Sequence, residues 1–132
     1  MSHIRQLPKP AGAYSLWRSG GGMCLITSGQ VGVDPSTGAP QPTLVAQVEQ
    51  AIDNLEAVLQ DAGAALSDVV KTSCFLADIS QFATFDAVYR ARFAQPYPAR
   101  STTGVTLAGG LLFEIEAVAR RPESAATDSA DE

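Results

Sequence analysis

Two charged side chains in this sequence could act together on a small organic acid. Arg100 lies in the small-residue stretch Pro98-Ala99-Arg100-Ser101-Thr102, and Glu114 opens the alternating stretch Glu114-Ile115-Glu116-Ala117-Val118. An arginine can hold a carboxylate through two parallel hydrogen bonds, and a nearby carboxylate can position or deprotonate a water molecule. Most charged side chains are exposed, so the two residues by themselves favour an ordinary surface role. Which role they have depends on the elements that position them.

The hydrophobic pattern predicts two helices. The first runs from an N-cap at Thr43 to near Gly63, because apolar residues recur at helical spacing: Leu44, Val48, Ile52, Leu55 and Leu59. Asp78 and Gln81 fit a capping box before a second helix, which Pro96 and Pro98 end. One face of that helix is expected to pack in the core: Phe82, Phe85, Val88, Tyr89 and Phe93.

Five strands are predicted around these helices, at residues 13–18, 23–28, 69–76, 101–107 and 112–120. In the third strand Val70, Thr72, Cys74 and Leu76 should share one face. In the last strand the alternation separates two sets, Phe113, Ile115, Ala117 and Ala119 on one face and Glu114, Glu116 and Val118 on the other. The order β-β-α-β-α-β-β indicates an α+β sandwich with both helices on one face of a mixed sheet. Because nothing covers the other face, we predict that the chain forms oligomers through it.

Composition indicates one soluble globular domain over residues 1–121, since 132 residues with 45% hydrophobic and 17% charged residues are typical of such a protein. No stretch is long enough to cross a bilayer or resembles a signal peptide, so a cytoplasmic location is expected. Residues 122–132 hold four acids and no base after Pro122, and they are predicted to be a disordered acidic tail. Without those four acids the net charge of −5 becomes −1, which argues against a nucleic-acid surface.

The potential metal ligands are few and scattered. Cys24 and Cys74 lie in separate apolar stretches, and His3 is the only histidine. Free thiols are expected in the cytoplasm, and no metal site is predicted.

Several segments, taken in order, resemble the RidA (YjgF) family of reactive-intermediate deaminases over about residues 8 to 121. They are Gly12-Ala13-Tyr14-Ser15, Ile26-Thr27-Ser28-Gly29-Gln30, Asp34-Pro35-Ser36-Thr37-Gly38, Asn54-Leu55-Glu56-Ala57-Val58-Leu59, Ala62-Gly63, Asp68-Val69-Val70-Lys71-Thr72, Phe82-Ala83, Val88-Tyr89, Pro98-Ala99-Arg100-Ser101 and Glu114-Ile115-Glu116-Ala117-Val118-Ala119. The resemblance implies a chorismate-mutase-like fold and a homotrimer with three clefts between subunits. It also implies cofactor-independent hydrolysis of 2-imino acids and their enamine tautomers, such as 2-iminopropanoate or 2-iminobutanoate, to 2-keto acids and ammonia.

The same resemblance implies residue roles. Arg100 matches the arginine that binds the substrate carboxylate, and Glu114 matches the carboxylate that orients the attacking water. Tyr14 matches an aromatic residue that lines the cleft, and the backbone at Ser28 and Gly29 borders it. Thr102 takes a position often held by cysteine, whose backbone contacts the ligand.

The sequence departs from the family pattern at Ala13, Asp86 and Thr102 and across residues 103–110. The usual residues at the first three positions are proline, asparagine and cysteine. Because loops at a cleft decide what fits it, we expect these differences to affect substrate choice more than fold.

Two further functions are compatible with parts of the sequence. A non-catalytic trimer that binds small carboxylates, as a metabolite sensor or client-binding protein, would need Arg100 but not Glu114. An endoribonuclease activity, attributed to some relatives, fits poorly with the nearly neutral body of the chain.

Overall fold

The computed structural model describes residues 5–121, in which a sheet packs against two helices. The strands are β1 (Trp17–Gly21), β2 (Cys24–Thr27), β3 (Gln30–Val31), β4 (Val69–Leu76), β5 (Ala99–Gly104) and β6 (Phe113–Arg120), and the helices are α1 (Leu44–Asp61) and α2 (Phe82–Arg92). The predicted acidic tail lies outside the described residues. Over the described range, no helix combines the length and apolar character needed to cross a membrane.

The sheet is mixed, as predicted. Its strand order is β1-β2-β6-β4-β5, with β3 also paired to β6. Only β4 and β5 run parallel among the described pairs, and α2 provides the crossover between them. β3 was not predicted, and it adds a strand before α1 to the expected element order. Its two residues, between Gly29 and a turn-rich loop, are too few to leave a periodic pattern in the sequence.

Helix α1 begins and ends where the sequence predicts. The Oγ1 of Thr43 accepts a hydrogen bond from the backbone N of Ala46 at 3.1 Å, which caps the first turn. Gly63 adopts a φ of 82°, the left-handed conformation that glycine favours after a helix. The apolar face is buried against the sheet: Leu44, Val48, Ile52, Leu55 and Leu59.

The start of α2 differs from the predicted capping box. Asp78 Oδ1 accepts hydrogen bonds from the N and Oγ of Ser80, at 3.0 and 2.6 Å. Gln81 donates only its backbone N–H, to the Asp78 carbonyl at 3.0 Å, and its side chain makes no capping bond within the described residues. The cap therefore starts a short 3-10 turn, Ile79–Gln81, which leads into α2. Phe85, Val88, Tyr89 and Phe93 are buried as predicted, whereas Phe82 is 39% exposed.

Both helices pack on one face of the sheet. The ring centroids of Phe85 and Phe113 lie 5.2 Å apart, and the hydroxyl oxygens of Thr72 and Tyr89 share a hydrogen bond of 2.8 Å. The predicted alternation of β6 is confirmed, since Phe113, Ile115, Ala117 and Ala119 are buried and Glu114, Glu116 and Val118 lie on the opposite face. No element in residues 5–121 covers that face.

A β-bulge changes the predicted face assignment of β4. Val69 pairs with Ala119 and Lys71 with Val118, so Val70 is an extra residue in its strand. As a result Val69 is buried and Val70 is 46% exposed, the reverse of the prediction. Thr72, Cys74 and Leu76 do share the buried face.

Two other strands are displaced along the chain from their predicted positions. The first strand is Trp17–Gly21 rather than residues 13–18, and a bulge between Ser19 and Gly21 lets the glycine-rich stretch remain paired. β5 begins at Ala99, which places Arg100 inside the sheet and directly beside Thr72.

Candidate functional site

Arg100 lies on the helix-covered face of the sheet, at its β5 edge. Its register partner Thr72 is fully buried under α2, and paired residues of neighbouring strands share a face. The Cζ of Arg100 lies near the centroids of three aromatic rings, 4.6 Å from Tyr89, 5.1 Å from Phe85 and 5.3 Å from Phe82. These rings fix a cation through its attraction to their π faces.

Asp86 pairs with this guanidinium from α2. Its Oδ1 accepts a hydrogen bond from Arg100 Nη1 at 2.8 Å, and its Oδ2 accepts one from Arg90 Nη2 at 2.8 Å. The hydrogen bond from Arg100 is the main reason that the pKa of Asp86 lies below its usual value, and partial burial opposes this effect. Asp86 is therefore ionised at neutral pH.

A cavity of about 340 Å³ opens beside this ion pair, lined by Asp86, Tyr89, Arg90, Tyr97, Pro98 and Arg100. Arg100 uses Nη1 for Asp86, and a guanidinium carries five N–H groups, so donors remain for a ligand. The cavity therefore suits a small ligand with an acidic group.

Thr102 follows two residues later on the same face, in register with Cys74. Its Oγ1 is buried and has no hydrogen-bond partner among the described residues. Cys74 is not a candidate nucleophile, because burial raises the pKa of its thiol to about 12.

Glu114 lies on the uncovered face, where it pairs with Val31 of β3 and Phe75 of β4. Its carboxyl group lies against Gly29, so close that a Cβ at that position would be 2.8 Å from Glu114 Cδ. The pKa of Glu114 is raised, first by burial and then by the charge of Glu116. A carboxyl group in such surroundings can exchange a proton with water nearer to neutral pH.

The remaining predicted site residues surround Gly29. Tyr14 is 45% exposed, and its hydroxyl accepts a hydrogen bond from the backbone N of Ala11 at 2.8 Å. Tyr14 and Gly29 both line a second cavity, of about 230 Å³. Ser28 donates its hydroxyl to the carbonyl of Ser15 at 2.5 Å, which ties the segment that carries Tyr14 to this turn.

The predicted residues thus form two clusters, which a single chain does not bring together. Tyr14, Ser28, Gly29 and Glu114 form the first cluster, and Arg100 and Thr102 belong to the second. Glu114 pairs with Phe75, and Arg100 pairs with Thr72, an odd number of residues away on the same strand. Because successive side chains of a strand point to opposite faces, Arg100 and Glu114 lie on opposite faces of the sheet.

The contacts of Asp86, Tyr89 and Arg90 around Arg100 were not predicted. In the sequence Asp86 is only a departure from a family pattern, and the aromatic stripe predicts a core face. The helical i, i+4 spacing of Phe82 to Asp86 and Asp86 to Arg90 was the available signal. The sequence could not reveal that this face of α2 covers the start of β5.

The described residues contain no group of three or more His, Cys, Asp or Glu side chains placed to hold a metal ion. The two clusters and the cavity beside Arg100 contain guanidinium and carboxyl groups, hydroxyls and backbone groups.

Comparisons with known proteins identify the family to which the chain belongs. Residues 4–121 match the family model described as Endoribonuclease L-PSP. The 2-iminobutanoate/2-iminopropanoate deaminase of Salmonella typhimurium is 42% identical over 104 residues, which are 76% of this chain and 81% of that protein.

Solved structures of similar proteins cover nearly the same range. RidA from the Antarctic bacterium Psychrobacter superposes with a TM-score of 0.83 at 36% identity, over 91% of this chain and 99% of that one. Escherichia coli TdcF with bound serine superposes with a TM-score of 0.80 at 29% identity, over 92% of this chain and 100% of that one. The resemblance predicted from the sequence is therefore confirmed, and the chain belongs to the Endoribonuclease L-PSP family, also known as the YjgF/RidA family.

Proposed function

We propose that this protein is an imine deaminase, which hydrolyses 2-imino acids and their enamine tautomers to 2-keto acids and ammonia. The observation that carries the proposal is Arg100, held between aromatic rings and Asp86 with free donors beside a small cavity. The names of the Salmonella relative and the RidA structure support the same reaction class. 2-Iminopropanoate and 2-iminobutanoate are the proposed substrates.

The reaction needs little from the protein beyond positioning. An imine carbon is already electrophilic, and more so when its nitrogen is protonated. Arg100 would bind the substrate carboxylate, and Glu114 would orient a water molecule and take its proton as the oxygen attacks that carbon. The resulting carbinolamine then transfers the hydroxyl proton to nitrogen and releases ammonia, leaving the keto acid, and Glu114 gives the proton that it took from water to the departing ammonia. One water is consumed, and no electrons are exchanged.

A shared site between subunits would bring the two clusters together. Arg100 and Glu114 lie on opposite faces of one sheet, so their convergence requires a second chain. The uncovered sheet face displays apolar side chains suited to such contact, including Ile26 and Val70, each 46% exposed. We propose a homotrimer whose clefts take Arg100 and Thr102 from one subunit, and Tyr14, Ser28, Gly29 and Glu114 from its neighbour.

A non-catalytic carboxylate-binding trimer is the second candidate, and the bound serine of the TdcF structure is compatible with it. It would use the Arg100 cavity but not Glu114. The family model's description also names an endoribonuclease, but residues 1–121 carry a net charge of −1, which does not favour RNA.

A coupled assay tests the proposal. An amino-acid oxidase acting on L-alanine supplies 2-iminopropanoate, and ammonia release beyond the spontaneous rate is measured with and without the protein. We expect a clear acceleration, and Arg100→Ala should lower kcat/KM by about 100-fold, because it removes a charge-assisted carboxylate contact. Arg5→Ala is the matched control, since Arg5 pairs with Asp53 and Glu56 outside both clusters.

No acceleration by the wild-type protein would reject the enzymatic proposal. Full activity in Arg100→Ala would reject the role of Arg100. Binding of pyruvate without any turnover would instead support the non-catalytic candidate.

A further inference from the structure

The cavity proposed to hold the substrate carboxylate already contains a carboxylate from the protein. Asp86 is 2.8 Å from Arg100 Nη1, and the exposed fractions of the two side chains are 21% and 20%. Because the pair is mostly shielded from water, its charges are screened less than those of a surface pair. Any ligand bound by Arg100 must therefore also interact with the charge of Asp86.

Substrate and product of the proposed reaction differ in charge next to their carboxylate. A protonated 2-imino acid has a cationic nitrogen on the carbon that bears the carboxylate. The 2-keto acid has an uncharged carbonyl oxygen at that position. If the carboxylate lies on Arg100, this atom lies within a few ångströms of the guanidinium and hence near Asp86.

We propose that Asp86 is a specificity-determining residue, which favours ligands with a cationic nitrogen beside the carboxylate over ligands with the carboxylate alone. The inference rests on the proposed role of Arg100 in binding the substrate carboxylate. Asp86 attracts the protonated imine, the more electrophilic form, and repels the keto acid. It thereby favours entry of substrate and departure of product.

Arg90 is the other charged side chain that lines the cavity. It hydrogen-bonds the second oxygen of Asp86 at 2.8 Å, but it is 66% exposed, so water and salt weaken its effect. Asp86, Arg90 and Arg100 together carry a net charge of +1. The cavity thus remains attractive to an acid, and Asp86 sets how strongly a simple anion binds relative to a zwitterion.

Stable three-carbon acids make the inference testable without catalysis. L-Alanine has an ammonium group beside its carboxylate, and pyruvate has a carbonyl group there. Isothermal titration calorimetry on the full chain gives a dissociation constant for each, and their ratio is the readout. Asp86→Asn keeps an oxygen that can accept from Arg100 Nη1 but removes the negative charge.

We expect Asp86→Asn to bind pyruvate more tightly and L-alanine more weakly, changing the ratio of their dissociation constants by about tenfold toward pyruvate. Arg90→Gln, on an exposed side chain, should change the ratio in the opposite direction. Glu49→Gln is the matched control, because Glu49 also pairs with an arginine of α2, Arg92, but does not line this cavity.

Each outcome decides the question. An unchanged ratio in Asp86→Asn would overturn the inference, even if the protein deaminates imines. If Asp86→Asn bound neither pyruvate nor L-alanine, the inference would also be wrong, because Asp86 would then only position Arg100. If the wild-type protein binds neither acid, both the inference and the carboxylate site at Arg100 are wrong. The deaminase proposal is tested separately, by the ammonia release of the coupled assay.

Discussion

Glu114 combines two features at the scale of a single residue. Burial and the neighbouring charge of Glu116 raise the pKa of its carboxyl group. The absence of a side chain at Gly29 lets that carboxyl group lie against the backbone. Burial and the charge of Glu116 disfavour the ionised form of this carboxyl group, which is typical of functional carboxylates and costs stability.

Replacing Glu114 by glutamine should separate activity from stability. We expect Glu114→Gln to lower kcat by about 100-fold or more, since it removes the group that takes the proton of water. The same variant should have a higher Tm than the wild-type protein at pH 7, because an uncharged amide avoids the penalty of a buried charge.

The higher Tm of Glu114→Gln should depend on pH, because it arises from the charge of Glu114. Because the pKa of Glu114 is higher in the folded chain than in the unfolded chain, protonation of Glu114 favours folding. The wild-type protein therefore regains the stability that the Glu114 charge costs it as the pH falls from the folded-state pKa toward the unfolded-state pKa. The Tm difference should therefore shrink in acid, and the wild-type kcat should fall on the acid side with an apparent pKa above the usual glutamate value. An equal Tm for both proteins at pH 7 would contradict this reasoning.

Gly29 should matter because of space rather than backbone conformation. In Gly29→Ala the new methyl group would lie 2.8 Å from Glu114 Cδ, so the Glu114 side chain must turn away. We expect kcat to fall by about tenfold or more, with a small change in Tm, since the displaced group is only partly buried. Gly20→Ala is the control, because its methyl group would meet the movable Cys24 Sγ at 3.1 Å. Equal activity losses in the two variants would argue against a specific role for Gly29.

Residue types suggested Arg100 and Glu114 as site candidates, but their surroundings could not be predicted. The guanidinium of Arg100 depends on Asp86 and Tyr89, which lie 14 and 11 positions earlier in the chain. Only the packing of α2 over β5 brings them together. The aromatic stripe predicts a core face, which is confirmed except at the exposed Phe82. Its rings also hold a cation, which the stripe does not predict.

At the scale of elements, α1 holds the short strand β3 in place. The buried Asn54 donates both amide hydrogens, to the carbonyls of Val31 and Val33 at 2.9 Å each. Its own oxygen accepts from Gln50 Nε2 at 2.9 Å. Asn54 also lines the cavity that Tyr14 and Gly29 share. One helix side chain thus supports the segment that follows Gly29.

Asn54→Ala should therefore destabilise the fold. The change removes three hydrogen bonds at a buried position, two of them to backbone carbonyls, although the Val31 carbonyl keeps its bond from the N of Val33. We therefore expect a loss of about 2–3 kcal/mol in the free energy of unfolding, measured with urea. Gln60→Ala on the same helix is the control, because within residues 5–121 its side chain makes a single hydrogen bond, a long one of 3.5 Å from the backbone N of Arg5. Similar losses in both variants would show that β3 does not depend on Asn54.

The long elements were predictable because their patterns repeat. α1 contains several turns of apolar spacing and a cap at each end, and β6 alternates through its whole length. β3 and the bulge at Val70 were missed for the opposite reason. Each depends on its register with β6, which is about 50 or more residues away in sequence and leaves no local signal.

For the whole molecule, the decisive feature is that one sheet separates Arg100 from Glu114. A protein that uses both groups on one small acid must obtain them from two chains. Trimer formation remains a prediction. The uncovered sheet face predicts oligomers, and the family resemblance implies that the oligomer is a trimer.

Mixing inactive subunits should test this arrangement. Arg100→Ala and Glu114→Gln chains, each nearly inactive alone, are co-expressed so that they assemble together. Because each cleft would take one group from each of two chains, random assembly should give both intact groups in roughly a quarter of the clefts. We therefore expect about a quarter of the wild-type activity. Co-expressed tagged and untagged Arg100→Ala chains, which cannot form an intact cleft, are the control. No recovery in assemblies shown to contain both variants would contradict a cleft between subunits.

Thr102 and Cys74 have a consequence for the conditions that the protein can withstand. Thr102, with a buried hydroxyl two residues after Arg100, takes the position for which the sequence resemblance implies a cysteine, and burial raises the pKa of the neighbouring Cys74 to about 12. Oxidants and alkylating agents react with thiolates. The proposed chemistry would therefore continue under oxidative stress that inactivates thiol-dependent enzymes.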